Sequence, residues 1–296
     1  MTLEPMNRRR RSRLAKTRIA LSACVVLFAV NNMALTPLEY LLGRADLEVL
    51  FFPCVGLIGA QAGLHAIWCV LAPVGAVKRL ATGIGAGLLL YGAWALGYAV
   101  EVWNWRDADA YHWWEEVAST LLCLPLLVVA VQVPLWVARW WFGWRILRRC
   151  GPSRRLPRTP IGIRDILVAT GVVALVLSIA RSALPGEASN GSPPGNLIPL
   201  VTGALVAAAI SLFTTLPVVV ATLRARRLWL AIPTILFLDL AVMSGLVVIS
   251  SAQDGRWPQQ EECLFLILML VGFSLSLIGP MLIVRRLGFR LYWGRR

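Results

Sequence analysis

The sequence predicts an all-α protein that crosses a membrane about eight times, and three observations lead to this prediction. Of its 296 residues, 58% are apolar and 15% are charged, against roughly 45–50% and 25% in ordinary soluble domains. The apolar residues form stretches long enough to span a bilayer core of about 30 Å. The positive charges gather on one side when these stretches are threaded alternately through the membrane. These observations exclude a disordered chain and argue against a soluble globular domain.

Each apolar stretch is predicted to be a helix, because a helix satisfies its own backbone hydrogen bonds in hydrocarbon. No stretch shows the strict alternation of a barrel strand. Eight helices are expected, within a range of six to eight, because the region around Asn31, Asn32 and Pro37 is polar. The predicted spans are 19–41, 49–75, 80–102, 117–140, 164–184, 197–222, 228–250 and 263–284.

The basic N-terminal segment precedes a helix that we expect to be retained. Leu21-Ser22-Ala23-Cys24 has the form of a lipoprotein cleavage box, but only five residues separate Arg18 from Cys24. A cleavable signal needs an apolar region of about 7–15 residues at that place.

The positive charges predict the orientation of the chain. With the N-terminus in the cytoplasm and eight spans, 25 of the 29 Lys and Arg residues lie inside. Only Arg44, Arg106, Arg181 and Arg256 lie outside, whereas twelve of the 15 acidic residues do. Because Lys and Arg collect on the cytoplasmic side, both termini are predicted to be cytoplasmic. The dominance of Arg over Lys indicates a GC-rich bacterial source, and hence the inner membrane.

The net charge of +14 is interpreted as an orientation signal that also suits anionic lipids at the cytoplasmic face. Most tryptophans lie at the predicted span ends, as interfacial residues do. The expected partner is the lipid bilayer. Nucleic acid is not expected, and the sequence does not identify protein partners.

The sequence indicates an internal repeat, which predicts two parallel four-helix units. The segment 142–146 is similar to 287–291 at an offset of 145 positions, and Glu115-Glu116 falls on Glu261-Glu262 within one residue of it. The alternative is that basic span ends and helix-end prolines recur in any multi-pass protein. The predicted organisation is a basic segment 1–18, a first unit 19–150, a basic linker 151–163 and a second unit 164–296.

The second unit opens with a segment that resembles a known family. Ile163-Arg164-Asp165-Ile166-Leu167 resembles the F-S-[IL]-R-D-L-L helix opening of uncharacterised multi-pass membrane proteins of planctomycete bacteria. Ile161 and Gly162 replace the Phe-Ser pair, and the resemblance covers about 25 residues of 296. It implies a bacterial inner-membrane protein and no catalytic residues.

Two ionisable side chains near mid-span are the candidate functional residues, because charge is costly inside a bilayer. His65 lies in the second span and Asp239 in the seventh. If they meet, they are suited to relay protons or to bind a coupling cation. The alternatives are a hydrogen-bonded structural pair, or two unrelated residues that each have another partner.

Other polar and small residues in the spans are predicted to join helices. Asn31, Asn32, Gln61 and Gln132 are expected to do so through their amides. Gly83 and Gly87, four positions apart, are expected to allow a close helix approach. They are not part of a dinucleotide site, because no βαβ unit surrounds them.

The sequence contains no recognisable catalytic constellation. It lacks G-x-S-x-G, H-E-x-x-H and Walker A motifs, and its six cysteines form no C-x-x-C pair. The outer segment 107–116 combines carboxylates with His112, which leaves a divalent-cation site as an alternative to a solvated loop. We therefore expect no enzyme activity, no cofactor, and no catalytic or metal-ligating residues.

The predicted function is a structural or interaction component of the membrane. The alternative is a small-solute or ion transporter, proton-coupled in one form, that uses His65 and Asp239.

Overall fold

The computed structural model describes most of the predicted spans. For some residues the structure describes the backbone but not the side chain. These are Ala76, 101–104, 112–126, Arg148, 198–203 and 260–262. The described residues are 19–20, 22–35, 37–38, 41–42, 51–72, 74–104, 112–148, 198–224, 232–242, 244–245 and 260–292.

Helices make up almost all of this part of the chain, which confirms the all-α prediction. Every predicted span except 164–184 overlaps a described helix, and 164–184 lies outside the described residues. The helices are α1 (Ser22–Leu35), α2 (Phe51–Leu71), α3 (Ala76–Asn104), α4 (His112–Phe142), α5 (Ile198–Ile210), α6 (Leu216–Arg224), α7 (Ile232–Val242) and α8 (Gln260–Arg286).

Four helical segments in the described ranges are long and apolar enough to cross a membrane. They are Phe51–Leu71, Val77–Val100, Ala204–Arg224 and Cys263–Arg286. Helix α4 begins at His112, so the end of the segment 107–116 is helical, and the prediction of a loop there was wrong. The predicted span 117–140 begins after Glu115 and Glu116 because it was drawn from apolar residues alone. The helix itself includes these two charged residues.

A π-helical turn, Ser211–Thr215, joins α5 to α6 in one continuous rod. The Leu216 N–H donates to the Ser211 carbonyl, five positions back. Pro217 explains the turn, because proline has no N–H to offer the carbonyl of Phe213 and its ring crowds that carbonyl. Such turns are rare and frequently lie at functional sites.

Two short strands, β1 (Arg145–Arg148) and β2 (Phe289–Tyr292), follow α4 and α8 and pair antiparallel. These strands were not predicted from the sequence. Helices α4 and α8 are each followed by a glycine of positive φ, 64° at Gly143 and 88° at Gly288. This conformation favours glycine at helix C-termini. The two turns direct the chain into the strands.

Helices α2 and α8 approach each other closely through their backbones. A Cβ on Gly56 would overlap the Met269 carbonyl, and one on Gly272 would lie 2.6 Å from the Pro53 carbonyl oxygen. The rings of Phe52 and Phe265 stack nearby at 4.2 Å. Small residues allow such an approach in membranes, where van der Waals packing drives helix association.

The buried core is formed by α2, α4, α6, α7 and α8 together with the inner faces of the strands. It includes Val70, Leu135, Val218, Ile235 and Leu277. The core therefore places mid-span polar residues of these helices next to one another, which is the setting of the candidate site.

Candidate functional site

Asp239 lies on α7 and is buried, with 3% of its surface exposed. One carboxylate oxygen, Oδ1, accepts a hydrogen bond of 2.7 Å from the Thr214 hydroxyl. The other oxygen, Oδ2, accepts one from the Ser274 hydroxyl. The carboxylate thus connects α7 to the π turn and to α8.

The two hydroxyl donors are themselves fully buried. Thr214 belongs to the π turn and Ser274 to α8, and neither has measurable exposure. The neighbouring Thr215 is equally buried, and its Oγ1 has no hydrogen-bond partner. Thr215 lies against α2, since its Oγ1 would be 3.3 Å from a Cβ on Gly63. Oxygen atoms of three neighbouring elements are therefore concentrated in one apolar region.

Asp239 has no positively charged partner in the described part of the chain. Its interactions are the two hydroxyl contacts, and no Lys, Arg or His forms an ion pair with it. An ionised carboxylate inside a bilayer is costly, and such groups normally pair with a charge or a cation. Two neutral hydroxyls supply hydrogen bonds but no compensating charge.

His65 lies in a separate polar contact, between α2 and α3. Its Nε2 is 3.7 Å and its Nδ1 is 3.9 Å from the Cys69 sulfur, one helical turn further along α2. A Cβ on Gly83 of α3 would lie 3.0 Å from Nε2. His65 therefore packs in the interface between α2 and α3.

The two candidate residues do not interact directly. His65 contacts Cys69 and the Gly83 region, whereas Asp239 contacts Thr214 and Ser274. No hydrogen bond or ion pair joins His65 to Asp239 in the described residues. No direct contact between the described residues therefore supports the hypothesis of a His65–Asp239 proton relay.

The predicted close helix approach is confirmed at Gly83 but not at Gly87. A Cβ there would lie 2.7 Å from the Cys69 sulfur, but a Cβ on Gly87 would meet nothing within 4 Å. The spacing correctly indicated a helix face, but only one of the two positions faces α2.

Asn32 and Gln61 form a reciprocal amide pair between α1 and α2. The Asn32 Nδ2 donates to Gln61 Oε1 at 3.0 Å, and the Gln61 Nε2 donates to Asn32 Oδ1 at 2.7 Å. The Asn32 amide also donates to the Leu90 carbonyl of α3 at 3.0 Å. Both side chains are buried, and the prediction that amides join helices is confirmed for Asn32 and Gln61. It is not confirmed for Asn31, whose buried Nδ2 has no hydrogen-bond partner among the described residues.

Two arginines converge on the C-terminal end of α2. Arg79, which is buried, donates from Nη1 to the Val70 carbonyl at 2.7 Å, and Arg139 of α4 donates to the same oxygen. Arg285 of α8 makes a similar bond of 2.7 Å to the Thr222 carbonyl near the end of α6. Positive charge at a helix C-terminus is favoured by the helix dipole.

Several predicted features lie outside the described residues. These are the resembling segment 163–167, the linker 151–163, the basic segment 1–18 and most of the outer segment 107–116, whose remaining residues are described by backbone alone. Among the described side chains, no group of three or more His, Cys, Asp and Glu residues is placed to hold a metal ion.

Asp239 was recognisable from the sequence, whereas Thr214, Thr215 and Ser274 were not. Hydroxyl residues are common in membrane helices, and nothing in the sequence distinguishes these three from Thr222, which bonds to the Val218 carbonyl of its own helix at 2.5 Å. Pro217 was the available signal, because it forces the irregular turn that carries two of them.

No protein-family model matches the chain, and neither a curated protein nor a solved structure is significantly similar to it. The class of protein therefore follows from the fold alone. The described residues form an all-α transmembrane protein with a buried carboxylate in its core.

Proposed function

We propose that this chain is a multi-pass protein of the bacterial inner membrane with eight spans and both termini in the cytoplasm. The charge distribution supports the orientation, since 25 of 29 basic residues lie inside under this arrangement. The planctomycete proteins that its segment 163–167 resembles are likewise multi-pass membrane proteins.

The strand pair supports the number of spans. Between β1 and β2 the described residues include two helices long enough to cross a membrane, Ala204–Arg224 and Cys263–Arg286, and the shorter apolar helix α7, which we propose as part of a third crossing, the predicted span 228–250. Three crossings would place the strands on opposite sides of a bilayer, yet the strands are paired. One further crossing between β1 and α5 would bring them to the same side, and we propose that the predicted span 164–184, outside the described residues, supplies it.

The register of the strands supports the division into two units, 19–150 and 164–296. Ile146 pairs with Leu291, and the flanking pairs are Arg145 with Tyr292 and Leu147 with Arg290. At the offset of 145 positions, Arg145 corresponds to Arg290 and Leu147 corresponds to Tyr292. The pairing is thus symmetric about two equivalent residues, as it would be across a two-fold axis between parallel repeats.

The role that we propose is structural or in protein interaction, and not enzymatic. The observation that carries this proposal is the pairing of polar side chains across helices. The Asn32–Gln61 amides join α1 to α2, Asp239 joins α7 to the π turn and α8, and the Ser211 hydroxyl bonds to the Val131 carbonyl of α4 at 2.6 Å. Such contacts stabilise helix association.

Anionic lipid at the cytoplasmic face is the partner that we propose. Arg139 lies 5.6 Å from the centre of the Trp136 ring near the end of α4, and Trp140 and Trp141 beside them are largely exposed. This combination of tryptophan and arginine is suited to the interfacial region of a leaflet that contains anionic headgroups.

A transporter is the second candidate, favoured by one observation. Asp239 is a buried carboxylate without a positive partner in the described residues, and it lies beside an irregular helical turn. Ion sites of transporters combine these two features.

Cysteine accessibility distinguishes the two candidates. In a cysteine-free variant, single cysteines at Ala66 on α2 and Ile235 on α7, both buried, would be treated with a membrane-impermeant maleimide. The structural role predicts no labelling, with Ser192→Cys in the predicted outer segment 185–196 as the labelled control. Labelling of either core position from outside would show an aqueous path and would favour the transporter.

A further inference from the structure

We infer that Asp239, Thr214 and Ser274 form a binding site for one sodium ion at the junction of α7, the π turn and α8. This inference goes beyond the structural role, since it assigns a ligand to the core. A bound ion and a dry helical bundle are compatible, because the site is enclosed by protein.

The charge of the site points to a monovalent cation. One carboxylate is present, and no described Lys, Arg or His forms an ion pair with it. A single Na⁺ neutralises it, whereas a divalent ion would leave a net positive charge in an apolar core, which is costly.

The ligand atoms point to a hard cation. Asp239 offers two carboxylate oxygens, and the hydroxyls of Thr214 and Ser274 are in direct contact with them. The His, Cys and acidic clusters that hold transition metals are absent from the described side chains. Oxygen-only ligand sets are preferred by hard ions.

The π turn carries further oxygen atoms next to Thr214 in the chain. Thr215 carries a buried hydroxyl without a hydrogen-bond partner. The Phe213 carbonyl, next to Thr214, cannot receive the usual helical hydrogen bond because position 217 is proline. Main-chain carbonyls at interrupted helices coordinate Na⁺ in membrane transport proteins.

Thermal unfolding of the purified full chain in detergent tests the site. At constant ionic strength, NaCl would replace choline chloride, and KCl would serve as the comparison salt. Because a ligand that binds only the folded state stabilises it, Tm is expected to rise with NaCl and to rise less with KCl. Asp239→Asn is expected to abolish the response to NaCl.

Two further variants keep the test informative if Asp239→Asn does not fold. Thr214→Val and Ser274→Ala are each expected to raise the half-saturating NaCl concentration by about tenfold or more. The matched control is Thr222→Val, which removes an equally buried hydroxyl outside the site and is expected to leave that concentration unchanged.

The inference is overturned if the wild-type Tm responds equally to sodium, potassium and choline. It is also overturned if Asp239→Asn keeps the sodium response. A Tm that depends on pH but not on sodium would show that a proton occupies the carboxylate and would likewise contradict sodium binding. The accessibility of Ala66 and Ile235, which tests the structural role, is independent of these outcomes.

Discussion

Ile146 and Leu291 pair across the two short strands, at the centre of the register. Both side chains are buried, with 6% and 7% of their surface exposed, and they pack into the same core as the helix ends. They are 145 positions apart, which is the offset of the predicted internal repeat. The contact therefore joins the ends of α4 and α8, at positions that would be equivalent in the two predicted units.

This contact predicts a specific crosslink. In a cysteine-free variant, Ile146→Cys with Leu291→Cys is expected to form a disulfide under mild oxidation. Opposed residues of antiparallel strands have Cα atoms about 4.5–5.5 Å apart, within the range of about 4.4–6.8 Å that disulfides require. The mobility shift of the oxidised chain on a non-reducing gel measures it.

The control moves one cysteine by a single residue. Ile146→Cys with Arg290→Cys places the two thiols on opposite faces of the strand pair, because successive side chains alternate. This variant is expected to crosslink far less. Equal crosslinking of both pairs would contradict the register.

The contact between α2 and α8 predicts a strong effect of Gly56→Ala. The added methyl group would meet the Met269 carbonyl, which is backbone and cannot rotate away. Overpacking of this kind costs typically about 1–3 kcal/mol, measured as a loss of unfolding free energy in detergent. Gly85→Ala is the control, because nothing lies within 4 Å of its Cβ position. Equal stability of the two variants would argue against this helix contact.

The amide pair between α1 and α2 predicts a measurable coupling. Asn32→Leu and Gln61→Leu each leave the other amide buried without its partner, whereas the double variant removes both groups. Buried groups without partners are destabilising. A double-mutant cycle of unfolding free energies is therefore expected to give a coupling of about 0.6–1.7 kcal/mol. A coupling of zero would show that the pair does not contribute.

The spans were predictable because bilayer thickness imposes a long apolar run on every crossing helix. The orientation stays a prediction, since it depends on the charges alone. The helix ends were less predictable. Helix α3 runs from Ala76 to Asn104, beyond the predicted 80–102, and α4 begins at His112, before the predicted start at 117. A helix continues into the interface, where hydropathy no longer distinguishes it.

The strands and the partners of Asp239 could not be predicted in this way. Arg145–Arg148 is basic and only four residues long, so its sequence is that of a cytoplasmic loop, and its pairing depends on a segment far along the chain. Asp239 was recognisable because a carboxylate in a span is rare. Thr214 and Ser274 were not, since their role depends on the tertiary arrangement and on the irregular turn before Pro217.

The arrangement of eight spans in two parallel units is tested most directly by the sidedness of the segments around the predicted span 164–184. Fusions of green fluorescent protein and of alkaline phosphatase would be made after positions 155, 190 and 296. We expect fluorescence at 155 and 296 and phosphatase activity at 190. Fluorescence at both 155 and 190, or phosphatase activity at both, would mean that the chain does not cross the membrane between them. That result would contradict the eight-span arrangement.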